Sequence, residues 1–250
     1  MRKVLIILFL TFISISFIGL SQNISAIDIV KKTDSKLRGN SSYSEMTMTI
    51  LRPTYKRSIS MKIWTMSDEY AIIKILSPAK EKGQGYLKRE KELWNWIPSI
   101  DKLIKMSSSV MSQSWMGSDF SNDDMVKESS MGNDYTHKLI KEEKIRESNS
   151  YKIEMTPKPS SAVVWGKVYV WIDKKEFVII KIENYDEENI LVQTIDYFDL
   201  KTFGDRKLPS RMEMVPNDKK GQKTIISTTK ADFNIKIDKS FFSQVNLKKQ

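Results

Sequence analysis

The chain has 250 residues, no cysteine, a single histidine and a net charge of +10. Without cysteine there is no disulfide, no thiolate metal site, no thiol nucleophile and no thiol to carry a lipid, and one histidine leaves little for a zinc centre. The lysines are scattered with no run longer than two, which reads as a solvated basic surface and not as a nucleic-acid stripe.

Arg2 and Lys3 precede a charge-free, largely apolar stretch from Val4 to Leu20, closed by Gly19, Leu20 and Ser21. This is the pattern of a secretory signal peptide, residues 1–21, cleaved after Ser21, with residues 22–250 forming one exported domain. The stretch falls just under the ~18–20 residues that span a bilayer, so a retained anchor is the competing reading. Either way the basic start stays inside and the remainder crosses the membrane.

The first element of the exported part is a helix. Ile27, Val30, Asp34 and Leu37 keep helical spacing and Gly39-Asn40 ends it. Period two then takes over. "YSEMTMTI" puts Met46, Met48 and Ile50 on one face, and "RSISMKIW" does the same with Ile59, Met61 and Ile63. "EYAIIKIL" ends at Ser77-Pro78, and "KELWNWIP" places Trp94 and Trp96 on one face before Pro98. From Met106 to Met131 the alternation stops. Ser121 or Asn122 can cap a short helix there, with Asp123 and Asp124 at its positive end. Alternation resumes through "DYTHKLI", "SYKIEMTP", the hairpin "GKVYVWID"/"FVIIKIENY", then "ILVQTIDYFDL", "LPSRMEMVP" and a long, bent "KTIISTTKADFNIKI". "SFFSQVNL" closes the chain as a short helix or turn that tucks Phe241 and Phe242 under something. The expectation is about ten antiparallel strands in a meander.

Chemistry-bearing motifs are sparse. His137 sits in an alternating stretch, and neither G-x-S-x-G nor H-E-x-x-H occurs. "GQG" at Gly83 to Gly85 has neither the Lys-Ser/Thr nor the third Gly of a phosphate loop, and it reads as a turn or bulge. Asp119, Asp123, Asp124 and Glu128 do not keep calcium-loop spacing. A carboxylate pair of the glycosidase kind leaves no spacing signature. No catalytic residue, metal ligand or cofactor is assigned. What stands out is apolar surface: six Trp and thirteen Met, with strands such as Val168 to Ile172 apolar on both faces. A covered curved sheet and a sheet lining a cavity for an apolar ligand both fit that composition.

"LWNWIPSIDKLIKM" followed by "WMGSDFSNDDM" resembles the LolA-like family of exported, outer-membrane lipoprotein-sorting proteins. "DIVKKTDSKLRG", "GQGYLKREKELWNWIPS" and "YVWIDKKEFVIIKIE" extend the resemblance over most of the exported chain. It implies a mainly β fold: a single curved antiparallel sheet forming an incomplete barrel, capped by a few short helices that act as a lid. It also implies a non-enzymatic carrier in the Gram-negative periplasm, binding acyl chains of lipoproteins or lipids for transfer toward the outer membrane. Transient membrane contact and an inner-membrane transporter of the resistance-nodulation type go with that reading. The ligand-binding candidates are Met46, Met48, Met61, Trp64, Trp94, Trp96 and Trp171 on strands, with Met111, Trp115, Met116 and Phe120 in the lid. The characterised carriers hold their lid with an arginine inside the barrel. Arg52 and Arg89 lie in strand-like segments here, but neither has the matching surroundings. The rival reading is an envelope sensor or interaction module that binds a partner protein through the same sheet.

Overall fold

Alternating apolar residues become strands through most of the chain. The computed structural model describes residues 24–90, 92–122, 124, 131–159, 161 and 163–249, and the expected signal peptide, Asp123 and Met125 lie outside these. Thirteen strands form one antiparallel sheet. They are β1 (Ser41–Arg52), β2 (Tyr55–Met66), β3 (Tyr70–Ser77), β4 (Gly85–Arg89), β5 (Glu92–Ile97), β6 (Lys102–Lys105) and β7 (Tyr135–Ile145), followed by β8 (Ser148–Pro157), β9 (Lys167–Asp173), β10 (Ile179–Tyr185), β11 (Leu191–Phe203), β12 (Arg206–Pro216) and β13 (Lys223–Phe233). The count exceeds ten mainly because β4 and β6, with five and four residues, are too short to display alternation.

Across the sheet the order is β6-β5-β4-β3-β2-β1-β13-β12-β11-β10-β9-β8-β7. Every adjacent pair is also adjacent in sequence except at the centre, where β1 meets β13. Consequently β6 and β7, consecutive in the chain, are the two unpaired edges, and the barrel stays open between them. The segment that breaks the sequence alternation is the connection between those edges.

Register decides which residues face inward. Met46 stands opposite Met61, and Met48 opposite Ile59 on one side and Ile226 on the other. These residues line the inner face. Over the β7–β10 half, that face is covered by α1 (Ala26–Arg38), which buries Ile29 and Val30 against Tyr135, Ile153, Val168 and Val170. Ser25 caps the helix by accepting from the Asp28 amide, and Arg206 donates to the carbonyls of Ser35 and Lys36 at its other end. The final strand ends at Phe233, short of the expected Ile237, and its pairing with β1 shifts register after Glu45.

On the outer face of β2–β5, the C-terminal segment forms a second layer. A 3-10 turn (Lys239–Phe241) and α2 (Gln244–Lys248) cover Trp64, Tyr70, Ile72, Leu87 and Trp96. Phe242 is fully buried, its ring 5.7 Å from that of Tyr70, while Phe241 lies 5.8 Å from Trp64. Gly85 permits this approach, since a Cβ there would sit 2.7 Å from Leu247 Cδ1. No helix among the described residues is long and apolar enough to cross a membrane. Phe242→Ala should cost about 3–5 kcal/mol in urea unfolding and red-shift the Trp emission as Trp64 and Trp96 lose their cover. A change well under ~1 kcal/mol would show that the segment is not part of the core.

Candidate functional site

A cavity of about 260 Å³ lies on the inner face, between the β6–β7 connection and the sheet. Its floor is Met46, Met48, Met61 and Ile63 from β1 and β2, with Ile226, Met214 and Ile195 from β13, β12 and β11. Trp115 and Phe120 cover it, and Trp165 stands on the side toward α1. Two buried amides, Asn184 and Gln193, face each other across β10 and β11 and form its polar part. The surface is methionine-rich, hence adaptable in shape.

The cover is a compact loop. Trp115 is 2% exposed and meets Tyr86 edge-on at 5.5 Å between ring centres. Around it the backbone folds on itself. The Trp115 amide donates to the Phe120 carbonyl, the Asn122 amide to Gln113, and the Asn122 side chain to Val110. Ser121 and Asp124 make a reciprocal cap, the Ser121 hydroxyl accepting from the Asp124 amide and the Asp124 carboxylate accepting from the Ser121 amide. Met116 (φ 52°) and Gly117 (φ 77°) both adopt left-handed backbone, natural for the glycine and strained for the methionine. The Trp115 indole N–H is buried with no hydrogen-bond partner among the described residues.

Polar contacts tie the loop to the rim of the sheet. Arg52, the last residue of β1, donates to Asp119 Oδ2 at 3.1 Å and to the Gly117 carbonyl at 2.8 Å. Arg57 on β2 donates to the Met116 carbonyl at 3.1 Å. Thr224 on β13 donates to Asp119 Oδ2 at 2.7 Å and accepts from the Asp119 amide at 3.0 Å. The Asp119 and Arg52 side chains are only 3% and 11% exposed, so this pair is shielded from water. Arg52 thus has a role that its sequence surroundings hid, because its partner lies 67 positions away. Arg57 and Thr224 carried no signal at all.

The candidate residues divide by strand face. Met46, Met48, Met61, Trp115 and Phe120 line the cavity, and Met111 and Met116 pack against the same inner cluster. Trp64, Trp94 and Trp96 instead belong to the outer layer beneath Phe242. Trp171 also points outward, donating from Nε1 to Glu143 Oε1 at 2.8 Å with Lys152 Nζ 4.5 Å from its ring centre. Ile63, Ile195, Met214, Ile226, Asn184 and Gln193 complete the cavity from strands that sequence alone did not bring together.

A wider cleft of about 500 Å³ between the β7–β8 and β9–β10 turns is charged, lined by Glu142, Glu143, Glu147, Asp173 and Lys174 among others. Lys174 pairs with Glu142 there, and among the described residues no three acidic or histidine side chains are grouped to hold a metal. His137 Nε2 lies 2.6 Å from the Met131 carbonyl. Burial pushes its imidazole below the ordinary value of 6.5; the Met131 carbonyl opposes this and Lys158 and Lys31 reinforce it. The folded protein therefore resists protonation, and stability present above the unfolded value is lost as pH falls below about 6.5. The thermal midpoint should drop accordingly between neutral and mildly acid pH, and His137→Gln should remove that part of the drop.

The latch makes its own prediction. Asp119→Ala leaves Arg52 buried without its carboxylate and should cost about 3–5 kcal/mol. By hydrogen exchange, the amides of Trp115, Ser118 and Asn122 should lose protection by roughly 100-fold or more, ahead of the β1 amides. Equal loss in loop and sheet would mean that the loop does not open independently.

A family model described as "-like: Uncharacterized protein" matches residues 67–249, well over half of the chain. No functionally curated protein matches the sequence. The structure is similar to that of a DUF1329 family protein from Desulfovibrio piger, with a TM-score of 0.80, 22% identity and coverage of 89% of this chain and 97% of that one. It is also similar to a putative outer membrane lipoprotein-sorting protein domain from Vibrio parahaemolyticus (TM-score 0.77, 20% identity, 90% and 98% covered). A LolA superfamily protein from Nitrosomonas europaea gives a TM-score of 0.74 at 22% identity, with 89% and 99% covered. At these TM-scores and coverages the three structures share this chain's fold over nearly its whole described length. The chain belongs to the family that the matching family model describes, and its fold is that of the LolA superfamily protein.

Proposed function

We propose that the protein is a non-enzymatic carrier working in the periplasm, which shelters the acyl chains of lipoproteins or lipids between the sheet and the β6–β7 loop. The observation that carries this reading is the methionine-rich cavity closed by a latched, aromatic loop. Likeness in fold to a putative lipoprotein-sorting domain supports it. An inner-membrane transporter as donor rests on the sequence resemblance alone.

Closed, the cavity holds about 260 Å³, below the ~300–1,000 Å³ of pockets that enclose a drug-sized ligand. A short apolar segment fits; a full acyl chain requires the loop to rise. When it rises, Trp115, Met111 and Met116 leave the inner face and acyl methylenes take their place, each worth ~0.8 kcal/mol. The Asn184 and Gln193 amides, which stay on the sheet, suit the carbonyls of an ester or amide linkage at the end of such a chain. Release is loop closure at an acceptor that binds the chain better.

The test is native mass spectrometry of the protein expressed with its leader in a Gram-negative periplasm. A co-purifying mass that vanishes on organic extraction is the expected result, and its identity names the cargo. A clean apo mass, with no uptake of added phospholipid or acylated peptide, would remove the carrier reading.

A further inference from the structure

Twelve large apolar side chains are exposed among the described residues; Val245 on α2 is the most exposed, and five others gather at one end of the sheet. Tyr55 (53% exposed), Ile100 (55%), Val164 (63%), Ile190 (55%) and Val215 all sit at or beside the turns of one rim of the barrel. Their connections are the β1–β2, β5–β6, β8–β9, β10–β11 and β12–β13 turns, which antiparallel pairing places at the same end. Turns 67–69, 146–147, 174–176 and 204–205 make up much of the other rim, and none of the exposed large apolar residues lies in them. Scattered exposed apolar residues are ordinary; a rim that collects them on loop tips is not.

These loops touch one another. Gly221 abuts Pro53, Gly83 abuts Pro98, and Arg57 bridges to Glu81 at 2.9 Å, so loops 53–55, 78–84, 98–101 and 217–222 form a continuous arc. On that arc Lys56, Lys80, Lys82, Lys219 and Lys220 are exposed, and none enters an ion pair among the described residues. Asp101 and Asp218 oppose them there, and the third acidic residue of the arc, Glu81, is paired with Arg57. Beyond the arc the rim turns acidic at Asp186, Glu187 and Glu188, beside Ile190. The same arc carries Arg52 and Arg57, the two guanidinium groups that hold the loop shut.

We propose that this arc docks on an anionic lipid surface, Tyr55 and Ile100 entering the interface while the five lysines meet the headgroups. The acidic stretch at 186–188 is repelled, so the molecule tilts onto its β1–β5 side. Docking brings headgroup phosphates next to the partly exposed Arg57, where they compete with the Met116 carbonyl and Glu81 for its guanidinium donors. The membrane itself thereby loosens the loop at the place where an acyl chain is picked up or delivered. The purpose of docking rests on the carrier reading, but docking is measurable on cargo-free protein, so the two fail separately.

The experiment is co-sedimentation of the purified protein with phosphatidylcholine vesicles, with and without phosphatidylglycerol. Binding is expected only with phosphatidylglycerol and should fall with added salt. Lys219→Gln with Lys220→Gln should weaken it roughly 20- to 30-fold at low salt. Tyr55→Ser with Ile100→Ser should also weaken it, whereas Lys174→Gln with Lys175→Gln on the opposite rim should leave it unchanged. Equal binding to both vesicle types would point to a retained apolar leader and overturn the proposal. No binding, indifference to the rim variants, or capture of a protein partner by the same arc without vesicle binding would overturn it as well.

Discussion

A barrel of about eight strands can fill its interior with its own side chains, whereas a wider sheet leaves a gap that something else must occupy. With thirteen strands and two unpaired edges, this sheet is well past that limit. Its inner face is filled from two directions: by α1 over β7–β10, and by the β6–β7 connection over β1–β5. The cavity is what these two fillers leave between them. Its position is therefore a consequence of sheet width and of where the barrel fails to close. The connection that covers it is also the chain's route from one open edge to the other.

The two fillers are held differently. The helix is seated by apolar burial, with Ile29 and Val30 fully enclosed. The loop buries Trp115 but is fixed to the rim by polar bonds from Arg52, Arg57 and Thr224. It also carries internal costs in the left-handed Met116 and the unsatisfied indole N–H, each of order ~1–3 kcal/mol. A cover with strong peripheral bonds and internal costs suits the reversible access proposed above better than a core helix would.

The outer face of β2–β5 explains why half the aromatic candidates lie elsewhere. The C-terminal segment makes this part of the sheet three-layered, so both faces of β2, β3 and β5 are buried. Trp64 is the immediate neighbour of Ile63 in sequence yet faces Phe241, while Ile63 faces the cavity. Trp94 and Trp96 share a face, as their spacing required, but it is the face under the strap.

Alternation and composition by themselves determined a β-rich, cysteine-free domain, the helix ending at Gly39, the non-strand insert, the shared face of Met46, Met48 and Met61, and the capping role of the Ser121–Asp124 region. These arise from local rules, periodicity, caps and neighbouring-strand register, that act within about fifteen residues. Tertiary structure alone decided which apolar face is the inside, since two apolar faces look the same from either side. It also decided the pairing of β1 with β13, the meeting of Asn184 and Gln193 with Met48, and the bond between Arg52 and Asp119. Those contacts join segments separated by tens to nearly two hundred residues, and no local propensity encodes a partner at that distance. They exist because a sheet too wide to fill itself has to be closed from within.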